Sequence, residues 1–169
     1  MHGRADLAAF ATSLFGPIDG ARSLGRPGDS AYFVLESGGA YVQALARWDG
    51  SNIRMEAASE TSVPALAEVL TPEKRQRLSE LGFQAPGPGP NYWRDVEVGG
   101  SGELLAAGAL AATVLWDVFD VGDAAAVEVK VNIPPARPLG FRDEPGAAPT
   151  PGGGYVIGGL RPPRSQGKS

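Results

Sequence analysis

The chain predicts an α+β domain: an antiparallel β-meander sheet packed against a long apolar C-terminal helix and shorter helices, with a disordered C-terminal tail. Three observations carry this reading. Residues 31–57 hold three runs rich in β-branched and aromatic residues, separated by Gly38-Gly39 and Asp49-Gly50, pairs suited to tight hairpins. Residues 101–121, SGELLAAGALAATVLWDVFDV, are almost wholly apolar, with only Thr113 and Asp117 polar between Leu104 and Phe119. From Pro134 to Ser169 the periodicity stops and 16 of 36 residues are Gly or Pro, so apolar burial there cannot offset the entropy of ordering. The domain is expected over residues 1–133 and the tail over 134–169.

In chain order, Leu7, Phe10, Ala11 and Leu14 fall at helical spacing and predict a short amphipathic helix over Asp6 to Phe15, closed by Gly16-Pro17. Asp19 to Asp29 reads as a loop. Strands are expected at Ala31 to Glu36, Tyr41 to Trp48 and Asn52 to Ala57. In the last of these Ile53, Met55 and Ala57 alternate with Asn52, Arg54 and Glu56, which buries one face and wets the other. Two short helices follow, Val63 to Leu70 and Pro72 to Leu81, the second started by Thr71-Pro72-Glu73 and stopped by Gly82. The prolines of QAPGPGP at 84–90 exclude helix and central strand and deliver a strand at Asn91 to Val98.

The apolar helix, Ser101 to Val121, is capped by Ser101, carries Glu103 in its first turn and ends at Gly122. Being apolar on nearly all sides, it must be covered on nearly all sides. Gly108, Ala111 and Ala112 would let a sheet or a second subunit approach closely. Its longest uncharged run, Leu104 to Trp116, falls short of the roughly 20 apolar residues that a bilayer requires, so no membrane span is expected. A last strand at Val127 to Ile133 alternates apolar and polar residues. Two apolar islands interrupt the tail, Leu139 to Phe141 and Tyr155 to Ile157. They read as incidental, the alternative being that they dock as short strands.

Composition excludes several chemistries. There are no cysteines, and the single histidine, His2, stands beside the first methionine, so no disulfide, thiolate ligand, histidine triad or zinc site is expected. No apolar leader follows the N-terminus, and the expectation is a soluble protein of the cytoplasm. Residues 1–133 carry 10 Lys plus Arg against 17 Asp plus Glu, a net −7, while residues 134–169 carry 5 against 2, a net +3. An acidic body argues against nucleic acid as partner. Asp117 with Asp120, or Glu36 with Glu56, are candidate acid–base pairs, more simply explained as a polar helix seam and as solvent-facing strand positions. Gly152-Gly153-Gly154 lacks the lysine of a phosphate loop. No catalytic, metal-ligating or cofactor-binding residue is assigned. The aromatic and cationic run Tyr92-Trp93-Arg94, with Trp116 and Phe119, is the candidate partner-binding set. Strand alternation puts Tyr92 and Arg94 on one side and Trp93 on the other, and packing under the apolar helix is the simpler use of the three.

Set in order, a strand ending MEAAS, then LTPEKRQRLSELGF, a proline-rich spacer, NYWRDV and a helix ending LWDVFDV resemble the peptide-binding chaperone-like domains grouped with the type III secretion chaperones and the YbjN proteins. The positions that carry the resemblance are Leu78, Leu81, Gly82, Phe83, Pro86, Asn91, Tyr92, Trp93, Arg94, Leu115, Val118 and Phe119. It covers about 65 of the 169 residues and rests on packing positions; the tail has no counterpart in it.

The resemblance implies an α+β domain without enzymatic activity or cofactor. Such a domain holds a peptide or an unfolded stretch of a client protein, often as a homodimer. Such a role needs an exposed sheet edge or an apolar groove, which the islands at Leu139 and Tyr155 would occupy when no client is bound. Two alternatives remain: a structural or regulatory subunit of a homo- or hetero-oligomer, and a small-molecule-binding or carboxylate-dependent enzyme domain. Glu36, Glu56 and Arg54 converging in one concave pocket would favour the last.

Overall fold

A computed structural model describes residues 2–24, 30–47, 52–134 and 154–156. The elements are α1 (Arg4–Leu24), β1 (Ser30–Ser37), β2 (Ala40–Arg47), β3 (Ile53–Ala57), α2 (Pro72–Glu80), β4 (Tyr92–Val96), α3 (Ser101–Thr113), β5 (Glu128–Asn132) and β6 (Gly154–Val156). The strands form one antiparallel sheet in the order β4-β3-β2-β1-β5-β6. The α+β class and the meander are as the sequence predicts. Gly38 and Gly39 turn the β1–β2 hairpin with φ of 60° and 88°, values that cost a residue with a Cβ. The expected Asp49-Gly50 turn lies outside the described residues.

One face of the sheet is covered. Ala31, Phe33 and Leu35 of β1, Val42, Ala44 and Ala46 of β2, Ile53, Met55 and Ala57 of β3 and Val129 and Val131 of β5 are buried there. The other face is the more exposed one and carries Tyr32, Arg54, Glu56 and Lys130. Period-two alternation decides which side each residue takes. α1 lies on the covered face with Leu7, Ala11, Leu14, Phe15 and Ile18 inward, and Phe15 meets Phe33 edge-on with ring centres 4.9 Å apart.

Several expectations are corrected. α1 does not stop at Gly16-Pro17 but runs to Leu24 with Pro17 inside it. The proline removes one helical N–H, yet Ile18, fully buried in line with Leu7, Ala11 and Leu14, keeps the next turn on the sheet. The expected helix at Val63 to Leu70 is only a 3-10 turn at Pro64–Ala67. The apolar helix is not one regular rod. Gly100, with no side-chain bond, takes the cap position expected of Ser101. After Thr113 the helix widens into a π turn over Val114–Val118, with the Phe119 N–H bonding back to the Val114 carbonyl at 3.2 Å. The chain leaves it at Asp120, in the left-handed region with φ of 56°, rather than at Gly122. α3 is not covered all round either: Leu105 is 62% exposed, and Ala106 and Ala109 face solvent.

The cause is that α3 packs chiefly along α1, and it is the π turn that reaches β2 and α2. The small residue Gly108 makes room for α1 of the same chain, not for a second subunit. A Cβ at Gly108 would lie 2.0 Å from Thr12 Oγ1, 2.6 Å from the Ala8 carbonyl oxygen and 2.7 Å from the Thr12 nitrogen. The end of this helix is tied down by charge. Asp117 accepts from Arg4 at 3.0 Å and from Arg77 at 3.0 Å, and Arg4 also donates to Thr113 Oγ1 at 2.7 Å. The stretch Ser101–Val118 is apolar and long enough to cross a membrane by length and composition, and 44% of it is buried within the protein. Most of the expected tail, Leu139 included, lies outside the described residues. Of the island Tyr155 to Ile157, Tyr155 and Val156 follow the alternative and not the incidental reading, pairing with β5 within the short strand Gly154–Val156, while Ile157 lies outside the described residues.

Gly108→Ala is expected to lower stability by about 1–3 kcal/mol, the usual cost of overpacking against backbone that cannot yield. Gly102→Ala, on the same helix with nothing within 4 Å, is expected to gain up to about 1 kcal/mol from helix propensity. Denaturant midpoints of the two variants check both signs.

Candidate functional site

Strand β4 is the edge of the sheet away from β6. Its inner side pairs with β3, with Tyr92 opposite Ala57, Arg94 opposite Met55 and Val96 opposite Ile53. On its outer side Gln84 exchanges two backbone hydrogen bonds with Trp93, at 2.7 and 3.2 Å. In an antiparallel ladder alternate residues aim their N–H and C=O the same way. Asp95 therefore presents its backbone groups on this same outer edge, beyond the reach of Gln84, and Glu97 follows just past the end of the strand. That free length of strand runs beside α3.

Between them lies a groove of about 710 Å³. Its strand side is Arg94, Asp95, Val96 and Glu97; its helix side is Glu103, Ala106, Ala107, Ala109, Leu110 and Thr113. Small side chains on the helix keep the space open, and Gly99-Gly100 turns the chain from one wall to the other. The wall is apolar and the rim acidic. Glu97 and Glu103 are exposed and have no ion-pair partner among the described residues, while Asp95 pairs with Arg54 at 2.7 Å. Arg94 closes one end, donating to the Leu81 carbonyl at 2.6 Å and lying against Gly82. Its charge is thus spent on the last turn of α2.

Of the five residues singled out in the sequence, only Arg94 lines this groove. Tyr92 and Phe119 are each 8% exposed and belong to the core. Trp93 is half-buried on the opposite face of the sheet, under the Arg54 guanidinium 4.2 Å from its ring centre. Trp116 is half-buried in the π turn, packed against the core. The groove residues that sequence reasoning passed over are Ala106, Ala109, Leu110, Glu97 and Glu103. The one signal for the three apolar ones was a helix apolar all round, read as covered rather than as partly free.

The carboxylate pairs do not assemble. Asp117 is held by Arg4 and Arg77, and Asp120 by Lys74. Glu36 pairs with Lys130, and Glu56 accepts from Gln43 at 2.7 Å and from Asn91 at 3.0 Å. None of the four lines the groove, and neither does Arg54. Among the described residues no group of three or more His, Asp or Glu side chains is placed to hold a metal ion.

A buried polar network sets the angle at which β4 meets β3. Asn91, 5% exposed, donates to Glu56 and to the Tyr41 hydroxyl and accepts from Ser62 Oγ at 2.6 Å. Ser59, fully buried, donates to the Pro90 carbonyl and accepts from the Thr61 N–H at 3.0 Å. The chain is thereby fixed on both sides of the proline spacer. Next to this network, backbone hydrogen bonding first, and then the Arg75 guanidinium at 2.6 Å, hold the Glu60 carboxyl below its usual range against the opposing effect of burial.

A model of the family described as T3SS (YopN, CesT) and YbjN peptide-binding chaperone 3 matches residues 9–131. The match takes in both walls of the groove and the polar network. No curated protein and no solved structure matches the chain.

Asn91→Ala is expected to cost about 1–3 kcal/mol, because it removes a buried amide and takes a partner from each of the part-buried Tyr41, Glu56 and Ser62; chemical denaturation measures it. A carboxyl with a lowered folded pKa contributes stability that is complete above its ordinary value of 4.5 and is lost as pH falls through the folded value. Glu60→Gln should therefore reduce the loss of stability below pH 4.5, read from unfolding midpoints across an acid series.

Proposed function

Because the chain belongs to the family of T3SS and YbjN peptide-binding chaperones, we propose that its groove between β4 and α3 holds an extended segment of a client protein. The client adds a strand to β4, bonding to the outward N–H and C=O groups of Asp95 and Glu97. Alternate side chains of such a strand point one way, and those on the helix side lie along Ala106, Ala109 and Leu110. Backbone bonds give affinity and the flank gives preference. Glu97 and Glu103 at the rim, without an ion-pair partner among the described residues, favour Lys or Arg in the segment. The observation that carries the reading is a free strand edge set against an unfilled apolar helix flank. The work is recognition and holding, without a cofactor and without bond-making, in the cytoplasm.

A second reading rests on Leu105, 62% exposed on the same helix. There α3 forms the contact between two copies, and the domain acts as a homodimer or as a subunit of a larger assembly. The two readings part experimentally.

Peptides selected from a random display library on the full-length chain are expected to alternate apolar residues and to be enriched in Lys and Arg. Their affinity should fall at least about tenfold, or ~1.4 kcal/mol, with Ala109→Glu and with Asp95→Pro, at little change in thermal midpoint. Proline at 95 removes an outward N–H and the exposed ion pair with Arg54, a pair of small worth at the surface, and is tolerated on an edge strand. Binding that survives both changes overturns the groove. Leu105→Glu, followed by light scattering, tests the second reading: a dimer through α3 should fall to monomers.

A further inference from the structure

The opposite edge of the sheet is not bare. Strand β5 pairs along Glu128–Asn132 with β1 on its inner side, and on its outer side with Gly154–Val156. The outer pairing is the shorter. Lys130, Val131 and Asn132 stand opposite Val156, Tyr155 and Gly154, while Glu128 and Val129 have no strand opposite them among the described residues.

Two features make β6 a weak occupant. Three residues form few ladder bonds, and glycines at 152–154 and 158–159 flank or open the strand, each with backbone freedom to lose on pairing. The connection over residues 133–153 must also be closed for β6 to stay in register, at an entropic cost. β5 itself does not depend on β6. It is fixed by five paired positions along β1 and by Val129 and Val131, 2% and 4% exposed in the core. If β6 left, a straight, five-residue acceptor edge would remain.

We propose that the outer edge of β5 is a second strand-accepting site, plugged by the chain's own Gly154–Val156 segment and opened when a longer extended peptide displaces it. The longer strand wins because it uses all of β5 and closes no loop on itself. The proposal takes over the strand recognition argued for β4 but places it on the other edge, with β3, β2 and β1 between. Either site can therefore fail without the other.

The probe is a fluorescent peptide copying residues 150–160, added to the full-length chain and to its Tyr155→Pro/Val156→Pro double variant. Proline has no N–H for the ladder and cannot sit in a paired strand. The peptide is expected to bind the double variant at least tenfold more tightly than the unaltered chain. It should also slow hydrogen exchange of β5 amides, which the double substitution has quickened.

Equal affinity for the two chains, or no binding to the variant, overturns the proposal. So does a variant that self-associates without taking up the peptide, since β6 would then only guard an edge against aggregation. Ala109→Glu, placed in the double variant, should leave the tail peptide's affinity unchanged; a loss would mean that the peptide sits in the β4 groove, and would overturn the β5 site. On the unaltered chain, amides of Tyr155 and Val156 should exchange by local opening, at least tenfold faster than those of β1, and protection equal to that of β1 counts against a displaceable plug.

Discussion

How closely α3 approaches α1 governs the outer half of the molecule. At Gly108 the two backbones leave no room for a methyl group, so α3 spends its inner flank on α1 and not on the sheet. Arg4, in the first turn of α1, then reaches Thr113 and Asp117 at the other end of α3. The register of the two helices is thus fixed at two places, the middle of α3 and its C-terminal end. The π turn follows from the same demand: it brings Leu115 and Val118 into the core while Asp117 stays at the rim for its two arginines. Because the contact is between helices, the flank of α3 that turns away from α1 is left open among the described residues. The groove is what remains.

The sheet was legible because burial in a strand repeats every two residues. Alternation along Ile53–Ala57 and Glu128–Asn132 named the buried side correctly, and β1 to β3 fell within a residue of their predicted ends. α1 was misjudged at Gly16-Pro17 because local signals were read without the contact that overrides them, the burial of Ile18. α3 was misjudged in the opposite sense. Its composition shows that it is apolar, but not which flank finds a neighbour. The groove was the least legible feature. A free edge is a property of pairing order, and nothing within NYWRDV says that no further strand will lie beside it. Aromatic residues attracted notice there, yet Tyr92 serves the core and Trp93 the far face, and the groups that face the groove are backbone.

The polar residues around Asn91 explain why the edge keeps its place. A strand that follows a spacer of alternating glycine and proline has little local reason to hold one position. Here Ser59 takes the Pro90 carbonyl, and Asn91 joins Glu56, Tyr41 and Ser62. Each buried polar atom is costly unless bonded, so the network tolerates one arrangement and no near alternatives. β4 is therefore registered on β3 by its first residues, before its outward groups meet anything. Arg94 extends the same logic to α2, tying the helix end to the strand through Leu81.

Backbone recognition alone is indifferent to sequence, since every residue but proline offers the same N–H and C=O. A domain that binds by strand addition must find its selectivity in what lies beside the strand. On β4, as proposed, that is α3, with an apolar wall of small residues and two carboxylates at the rim that have no ion-pair partner among the described residues. The wall is shallow, so it sorts by the presence of an apolar side chain and little by its shape. The charges act further out. The body carries a net −7 over residues 1–133, which draws basic segments and repels acidic ones over the roughly 8 Å that salt allows in the cell. If the client adds to β4 as proposed, selectivity rests on α3 and on the charge of the body.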